Sequence, residues 1–421
     1  MLELLATVDL LWQATTGQAI LNETTLATMV FPREQVVQQR VTDYLEALEQ
    51  KGIPVTDQGV WLQTQDQLLV NHQGDRPLSA ASITKIATTL AILDKFPPHH
   101  EFLTRFGTTG DLVNGVVKGD LVIVGSNDPL FVWEEAIMVA NALNDLGIRQ
   151  IDGNVVIVPP FAMNYTDDPG SAGVILKQAM DSRQWPGELQ DTYNRMAPGT
   201  PRPQLAIAGQ VMITETIPAD TKFLLEHRSL PLVEILRQMN IYSNNDMSEM
   251  LADMVGGGPV LGPKVAEMIG VPTQEIQLIN GSGLGDENRI SPRAACGMFQ
   301  MLQTQLGAQN LSLADILPMA GRDGGTLDYR TLPQSTLVKT GTLWNVSALT
   351  GIIPTQKYGT VCFSIINGGP HLDGFRQEQE NLVQGFMDDL GRASTLPLEF
   401  QGNSPPFRLG DRERNRSLTG T

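Results

Sequence analysis

Three strand-like runs follow one another near the end of the chain, at residues 335–339, 346–353 and 360–367. Short turns at residues 342–344 and 354–359 separate them. Runs joined this closely favour antiparallel pairing, because a parallel connection needs a dozen or more residues. The chain is therefore predicted to contain an antiparallel meander, and an earlier segment, residues 58–72, has the pattern of a β-hairpin.

Helical spacing of apolar residues occurs on both sides of these strands. In residues 82–96, apolar side chains recur at positions 83, 86, 87, 90, 91 and 93, and two prolines end the pattern. Similar periodicity predicts helices near residues 231–239, 247–255, 292–306 and 375–390. The predicted fold class is α/β in the α+β sense, with an antiparallel sheet flanked by helices.

A change of pattern divides the chain into domains. Residues 106–224 contain short β-rich runs separated by Gly, Asn, Asp and Pro, with one helix near 133–146, which predicts an inserted, mostly-β domain. The flanking residues 1–105 and 225–400 are then expected to form one discontinuous domain. Residues 401–421 are rich in Arg, Ser, Pro and Gly, and are predicted to be a disordered tail.

Composition excludes several classes of function. The chain has 46 Asp and Glu residues against 29 Lys and Arg, a formal net charge of −17, which argues against nucleic-acid binding. Two cysteines, Cys296 and Cys362, are too few for a zinc cage; they are expected as buried thiols, with one disulfide as the alternative. The five histidines lack metal-binding spacing. No cofactor and no metal are expected.

Membrane and export signals are not readable. No apolar run reaches the roughly 18–20 residues that a membrane helix needs, so no transmembrane segment is expected. The first residues include Glu3 and Asp9, and no basic residue precedes Arg33. A secretory signal needs a positive start and an uninterrupted apolar stretch, so no signal peptide is predicted. The oligomeric state is not predicted.

Ser82 and Lys85 form the first candidate for chemistry. A serine at a helix start lies near unpaired backbone N–H groups, which favour a developing oxyanion. A lysine three residues on lies on the same helix face, where a neutral amine can take the hydroxyl proton. The same pair is also compatible with an ordinary helix cap and an exposed lysine.

Two further motifs follow in the chain. Ser243 and Asn245 precede a predicted helix and could relay a proton and hydrogen-bond a substrate amide; the alternative is a capping loop. Lys339, Thr340, Gly341 and Thr342 end a predicted strand, where a cation, hydroxyls and a backbone edge suit a peptide with a terminal carboxylate. An edge-strand lysine that blocks aggregation is the alternative.

Taken together, the S-x-x-K, S-x-N and K-T-G motifs stand in the order and local context found in β-lactamases and penicillin-binding proteins. At these residues, and in the Gly281–Leu284 segment, the chain resembles the D-alanyl-D-alanine carboxypeptidases of the low-molecular-mass penicillin-binding proteins with an inserted domain (class C type). The resemblance covers residues 58–395. It implies that residues 1–105 and 225–400 form a β-lactamase/transpeptidase-like catalytic domain.

The resemblance also implies roles for these residues. Ser82 would be the acylated nucleophile and Lys85 its base, with Ser243 and Asn245 across the cleft. Lys339, Thr340, Gly341 and Thr342 would bind the substrate's terminal carboxylate. The implied substrate is the peptidoglycan stem peptide, β-lactams would be covalent inhibitors, and the implied location is the periplasm or cell envelope. A DD-endopeptidase activity is compatible with the same acyl donor.

Two departures from the family pattern leave alternatives open. Asn280 replaces an aspartate, and Gly285-Asp286 replaces the usual Ser-Arg, which could alter the cleft or weaken an ion pair. Independently of these departures, a β-lactamase or esterase on the same fold is one alternative. The other is a non-catalytic protein that binds peptidoglycan.

Overall fold

The structure of this chain is a computed structural model that describes residues 32–404 and 407–419. Helices α1 to α10 are Pro32–Gln50, Thr84–Lys95, Trp133–Asp145, Pro169–Ala179, Gly187–Arg195, Leu232–Tyr242, Asn245–Asp253, Gly258–Ile269, Pro292–Gly307 and Leu372–Leu390. Strands β1 to β9 are Gln58–Gln63, Leu68–His72, Leu78–Ser79, Leu103–Thr108, Leu112–Val113, Val116–Val117, Leu121–Val124, Gln150–Ile151 and Val155–Val158. Strands β10 to β18 are Ala206–Ile207, Val211–Ile213, Lys222–Arg228, Ile276–Gln277, Arg289–Ile290, Leu337–Leu343, Val346–Thr355, Gly359–Gly368 and Asn415–Ser417.

The main sheet joins an early and a late part of the chain. Its strand order is β15-β16-β17-β1-β2, and all neighbours are antiparallel. The meander of β15, β16 and β17 and the hairpin of β1 and β2 are both confirmed. The hairpin adds to the meander because β1 pairs with β17, with Gln58 opposite Asn367.

Helices cover both faces of this sheet. Along β17, Cys362 and Ile366 belong to one hydrophobic core, whereas Phe363 and Ile365 belong to a second core on the opposite face. This division follows from the two-residue period of a strand. The first core contains the buried faces of α2, α6 and α9, and the second contains those of α1 and α10. The predicted α+β class, an antiparallel sheet flanked by helices, is confirmed.

The cysteines correct one expectation. Cys296 on α9 and Cys362 on β17 are both buried, but they form a disulfide instead of two free thiols. The sulfurs meet because α9 packs directly on the face of the sheet that Cys362 points to. This bond ties the helical layer to the centre of the main sheet.

Residues 106–224 contain more helix than the sequence predicted. Besides α3, which matches the predicted helix, the structure has α4 and α5. The strands are also partly parallel: β7, β9 and β11 pair in parallel, in a six-stranded sheet of order β11-β9-β7-β4-β12-β18. A second sheet has the order β10-β8-β6-β5. The domain boundaries at 105/106 and 224/225 stay a prediction.

The predicted disordered tail differs from the structure. Strand β18 pairs antiparallel with β12, and Arg414 forms a buried ion pair with Glu135 of α3. Further back, the backbone N–H groups of Asn403 and Ser404 donate to Asp315. The polar composition misleads because these side chains find their partners far away in sequence, which local patterns do not record.

Within residues 32–404 and 407–419, no helix has the length and apolar character required to cross a bilayer. Residues 1–31, on which the signal-peptide prediction falls, lie outside the described part.

Replacing both cysteines with alanine (C296A/C362A) is expected to lower the free energy of unfolding by about 2–4 kcal/mol. The bond joins positions 66 residues apart, so its loss increases the conformational entropy of the unfolded chain. Urea unfolding of the oxidised protein and the variant measures this difference. As a control, dithiothreitol should destabilise the wild type and leave the variant unchanged; equal unfolding midpoints for the two proteins would contradict the expectation.

Candidate active site

Ser82 lies in a tight turn at the amino end of a buried helix. Residues Ala81–Ile83 form a single 3-10 turn, and α2 follows at once. The turn is fixed because the N–H of Ile83 donates to the carbonyl of Ala80, while Ile83 and Ile86 are fully buried in the first core. The serine is therefore held, half-buried, at a rigid position.

Lys85 lies one helical turn after Ser82 and is fully buried. Its Nζ is 3.0 Å from Ser82 Oγ, 2.7 Å from Asn245 Oδ1 and 2.8 Å from the carbonyl oxygen of Ser282. The amide and carbonyl oxygens only accept hydrogen bonds. A neutral amine therefore gives its two N–H groups to them and turns its lone pair to the hydroxyl of Ser82.

Burial changes the acidity of this amine. Removal from water lowers the pKa of Lys85 to about 7, although the nearby carboxylates of Glu249 and Asp246 act in the opposite direction. Near neutral pH a large fraction of Lys85 is then uncharged. An uncharged amine can act as a base, which the ordinary ammonium form cannot.

Glu249 holds the loop that completes the surroundings of Lys85. Its carboxylate accepts the backbone N–H groups of Gly281 (2.8 Å) and Ser282 (2.9 Å). This loop in turn presents the Ser282 carbonyl to Lys85. Sequence reasoning missed Glu249 and Ser282; the available signal was the four-residue spacing of Asn245 and Glu249, which places both on one face of α7.

Ser243 and Lys339 form the other side of the site. Ser243 ends α6 in the left-handed conformation (φ 55°), and its Oγ accepts a hydrogen bond from Lys339 Nζ at 2.9 Å. Lys339 is fully buried and also donates to the carbonyl of Thr340. Burial, together with the charge of Lys85, lowers the pKa of Lys339 well below its usual value.

Gly341 lets strand β15 approach the turn that carries Ser82. A Cβ at this position would lie 2.7 Å from the Ala80 carbonyl oxygen and 3.1 Å from Ala81 Cβ. On the opposite side, a Cβ at Gly283 (φ +84°) would lie 1.9 Å from the carbonyl oxygen of Ala81. Both glycines are thus required for the close packing of these segments around the serine.

The residues that depart from the family pattern have local partners. Asn280 accepts from the N–H of Gly283 and donates to the carbonyl of Leu284, so it closes its own loop. Asp286 accepts from Asn345 Nδ2 at 3.3 Å and from Ser79 Oγ at 3.4 Å. The hydrogen bonds of Asn280 and Asp286 described here do not involve Ser82 or Lys85.

The predicted residues are arranged in two linked groups. Ser82, Lys85 and Asn245 form one hydrogen-bonded group, and Ser243 with Lys339 forms the second. The groups adjoin, since Ser243 and Asn245 are two residues apart and the charge of Lys85 acts on Lys339. The remaining predicted residues, Thr340, Gly341 and Thr342, continue β15 from Lys339. Within the described residues, no cluster of His, Cys, Asp and Glu could hold a metal.

Comparison with known proteins identifies relatives over most of the chain. A model of the D-Ala-D-Ala carboxypeptidase 3 (S13) peptidase family matches residues 34–167 and 203–389. The D-alanyl-D-alanine carboxypeptidase of Actinomadura is 33% identical over 168 residues, 36% of this chain and 31% of that enzyme. The enzyme DacB of Haemophilus influenzae is 20% identical over 402 residues, 72% of this chain and 83% of that enzyme. This chain thus spans well under half the length of the Actinomadura enzyme.

Solved structures share the fold. The penicillin G-acylated predatory endopeptidase Bd3459 of Bdellovibrio bacteriovorus, in complex with the immunity protein Bd3460, superposes with a TM-score of 0.72 at 21% identity, covering 86% of this chain and 99% of that one. Penicillin-binding protein 4 of H. influenzae has a TM-score of 0.62 at 17% identity, covering 81% and 98%.

The titration of Lys85 is expected to have a midpoint near pH 7, because its amine is buried. NMR of protein labelled with ¹³C at the lysine ε-carbons measures this midpoint, and Lys85→Arg identifies the signal. Glu249→Gln should lower the midpoint further, since it removes a charge that favours the ammonium form. A Lys85 midpoint above pH 9 would refute this description of the site.

Proposed function

This chain belongs to the D-Ala-D-Ala carboxypeptidase 3 (S13) family, and on that premise we propose that it is a serine-type D-alanyl-D-alanine carboxypeptidase with Ser82 as nucleophile. The observation that carries the proposal is the contact of the buried amine of Lys85 with Ser82 Oγ at 3.0 Å. A serine hydroxyl becomes nucleophilic only when a base takes its proton. Lys85 is the base with the required position and acidity.

In the proposed first step, Lys85 takes the proton of Ser82 and Oγ attacks the carbonyl carbon between the two D-alanines. The backbone N–H groups of Ser82 and Thr342 would hold the oxyanion, a contribution of about 3–4 kcal/mol for each donor in comparable sites. When the C–N bond breaks, the proton that Lys85 took would pass by way of Ser243 to the amine of the leaving D-alanine, so that Lys85 is neutral again; Lys339 holds Ser243 in place for this transfer. Water then hydrolyses the acyl-enzyme and regenerates Ser82.

The proposed substrate is the peptidoglycan stem peptide, and β-lactams are the proposed covalent inhibitors. Two observations on relatives support this: the Actinomadura protein is named a D-alanyl-D-alanine carboxypeptidase, and Bd3459 has been captured acylated by penicillin G. Cleavage of existing cross-links uses the same acyl donor, so DD-endopeptidase activity is part of the proposal. Bd3459 is itself described as a peptidoglycan endopeptidase.

We place the protein in the periplasm or cell envelope. The proposed substrate lies outside the cytoplasmic membrane, and the Cys296–Cys362 disulfide supports an oxidising compartment, where such bonds persist.

Ser82→Ala is expected to abolish covalent labelling by a fluorescent penicillin, because it removes the acylated oxygen. Labelling of the wild type, followed by mass spectrometry of the labelled peptide, measures this. Ser417→Ala, which changes an exposed serine of β18, should label like the wild type. Absence of labelling in the wild type, or retained labelling of Ser82→Ala, would refute the assignment.

The acylation rate constant should rise with pH and level off above about pH 8, because Lys85 must lose its proton and its pKa is about 7. The fraction of neutral Lys85 increases as the pH rises through this pKa, and the acylation rate increases with it. Because the pKa is lowered, the rise is complete well below the pH at which an ordinary lysine loses its proton. Stopped-flow measurement of penicillin acylation from pH 5.5 to 9 gives the profile. A rate that is constant or falls over this range would exclude Lys85 as the base.

A further inference from the structure

The proposed substrate ends in a carboxylate, and the site must supply a positive charge for it. Lys339 is the cation that the sequence suggests for this task. In the structure, however, its amine is fully buried and donates to Ser243 Oγ and the Thr340 carbonyl. Those two contacts lie within the protein, so Lys339 is not turned to an open surface. The protein as a whole also carries a net charge of −17, which disfavours an anionic ligand.

Arg376 of α10 brings a second cation to the same strand. Its Nη2 lies 3.4 Å from the hydroxyl oxygen of Thr342, the exposed threonine at the end of the K-T-G-T segment. One third of the Arg376 side chain (33%) is exposed. Its ion-pair partner Asp373, at 3.5 Å, is 98% exposed, so that pair is weak and easily exchanged for another anion.

The backbone that carries Arg376 is held firmly against the main sheet. Gln379, one turn later on α10, is buried and donates to the backbone carbonyl of Ser347 and to Asn367 Oδ1. Arg330 donates to Glu380 and to Gln379, and both members of its ion pair are buried. The positive charge of Arg330 is therefore neutralised by Glu380, whereas the guanidinium of Arg376 is directed to Thr342.

We propose that Arg376 is a substrate-binding residue that, with the hydroxyl of Thr342, binds the terminal carboxylate of the D-Ala-D-Ala substrate. This inference rests on the proposed function. A guanidinium offers five N–H donors in a plane, which matches the two oxygens of a carboxylate. Binding of the carboxylate would replace the exposed contact with Asp373. The role of Lys339 is then to hold Ser243, with its amine inside the cleft.

The alternative is that Arg376 only positions Thr342. The two roles differ in their dependence on the substrate. A residue that binds the carboxylate matters for a peptide with a free carboxyl end and not for the same peptide with a terminal amide. A residue that only orients the strand matters equally for both.

The test compares Arg376→Gln with the wild type on diacetyl-L-Lys-D-Ala-D-Ala and on its C-terminal amide. We expect kcat/KM for the free acid to fall about 10- to 100-fold, mostly through KM, because a charge-assisted contact is lost. The value for the amide should stay within about twofold, so the preference for the acid is lost. Arg376→Lys should recover part of the preference for the acid, since a lysine keeps the positive charge but lacks the planar guanidinium.

A control variant separates this contact from the overall charge. Arg412→Gln changes the net charge by the same amount at an exposed arginine paired with Asp145 of α3, and it should leave both substrates unaffected. Equal losses of kcat/KM on the acid and the amide in Arg376→Gln, or no loss on the acid, would overturn this inference and leave the proposed function intact. If the wild type releases no D-alanine and is not labelled by penicillin, the proposed function fails and the inference fails with it.

Discussion

The burial of two lysine amines in one cleft is the constraint on which the site depends. Lys85 and Lys339 are both fully buried, and the charge of Lys85 disfavours a charge on Lys339. An ammonium group removed from water is costly unless it is paired, and among the residues that the structure describes no carboxylate is hydrogen-bonded to either amine. The contacts are instead hydroxyl, amide and carbonyl oxygens. Burial without a contacting carboxylate favours neutral amines, which are the form that acid–base chemistry on a serine requires.

The rest of the fold keeps water away from these amines and keeps their partners in place. The first hydrophobic core surrounds α2, and the disulfide joins α9 to the centre of the main sheet. Gly341 and Gly283 allow two segments to approach the turn at Ser82 closely, while Glu249 holds the loop that faces Lys85. These elements come from distant parts of the chain, so the site exists only in the folded state.

Local sequence patterns were sufficient for much of the fold and for the reactive groups. The period of apolar residues predicted α2, and the closely spaced strands predicted the meander, because both depend on near neighbours. Ser82 with Lys85 and Lys339 with Gly341 are likewise short motifs. Partners that lie far apart were harder to predict: the Cys296–Cys362 bond was only the second alternative, and the loop held by Glu249 was missed, because both depend on packing between elements. The strand β18 was missed for the same reason, since its partner β12 is distant and its own composition is polar.

The most direct test of the buried amines is the pH dependence of stability. A lysine that is neutral when folded and charged when unfolded makes the folded state bind fewer protons, so stability must rise with pH. Between pH 8 and 10, the free energy of unfolding of the wild type should rise by about 1.4 kcal/mol per pH unit for each neutral amine. This rise should be measured relative to the double variant Lys85→Met/Lys339→Met, in urea unfolding. Parallel pH profiles for the two proteins would show that the amines stay charged in the folded state, which contradicts the account.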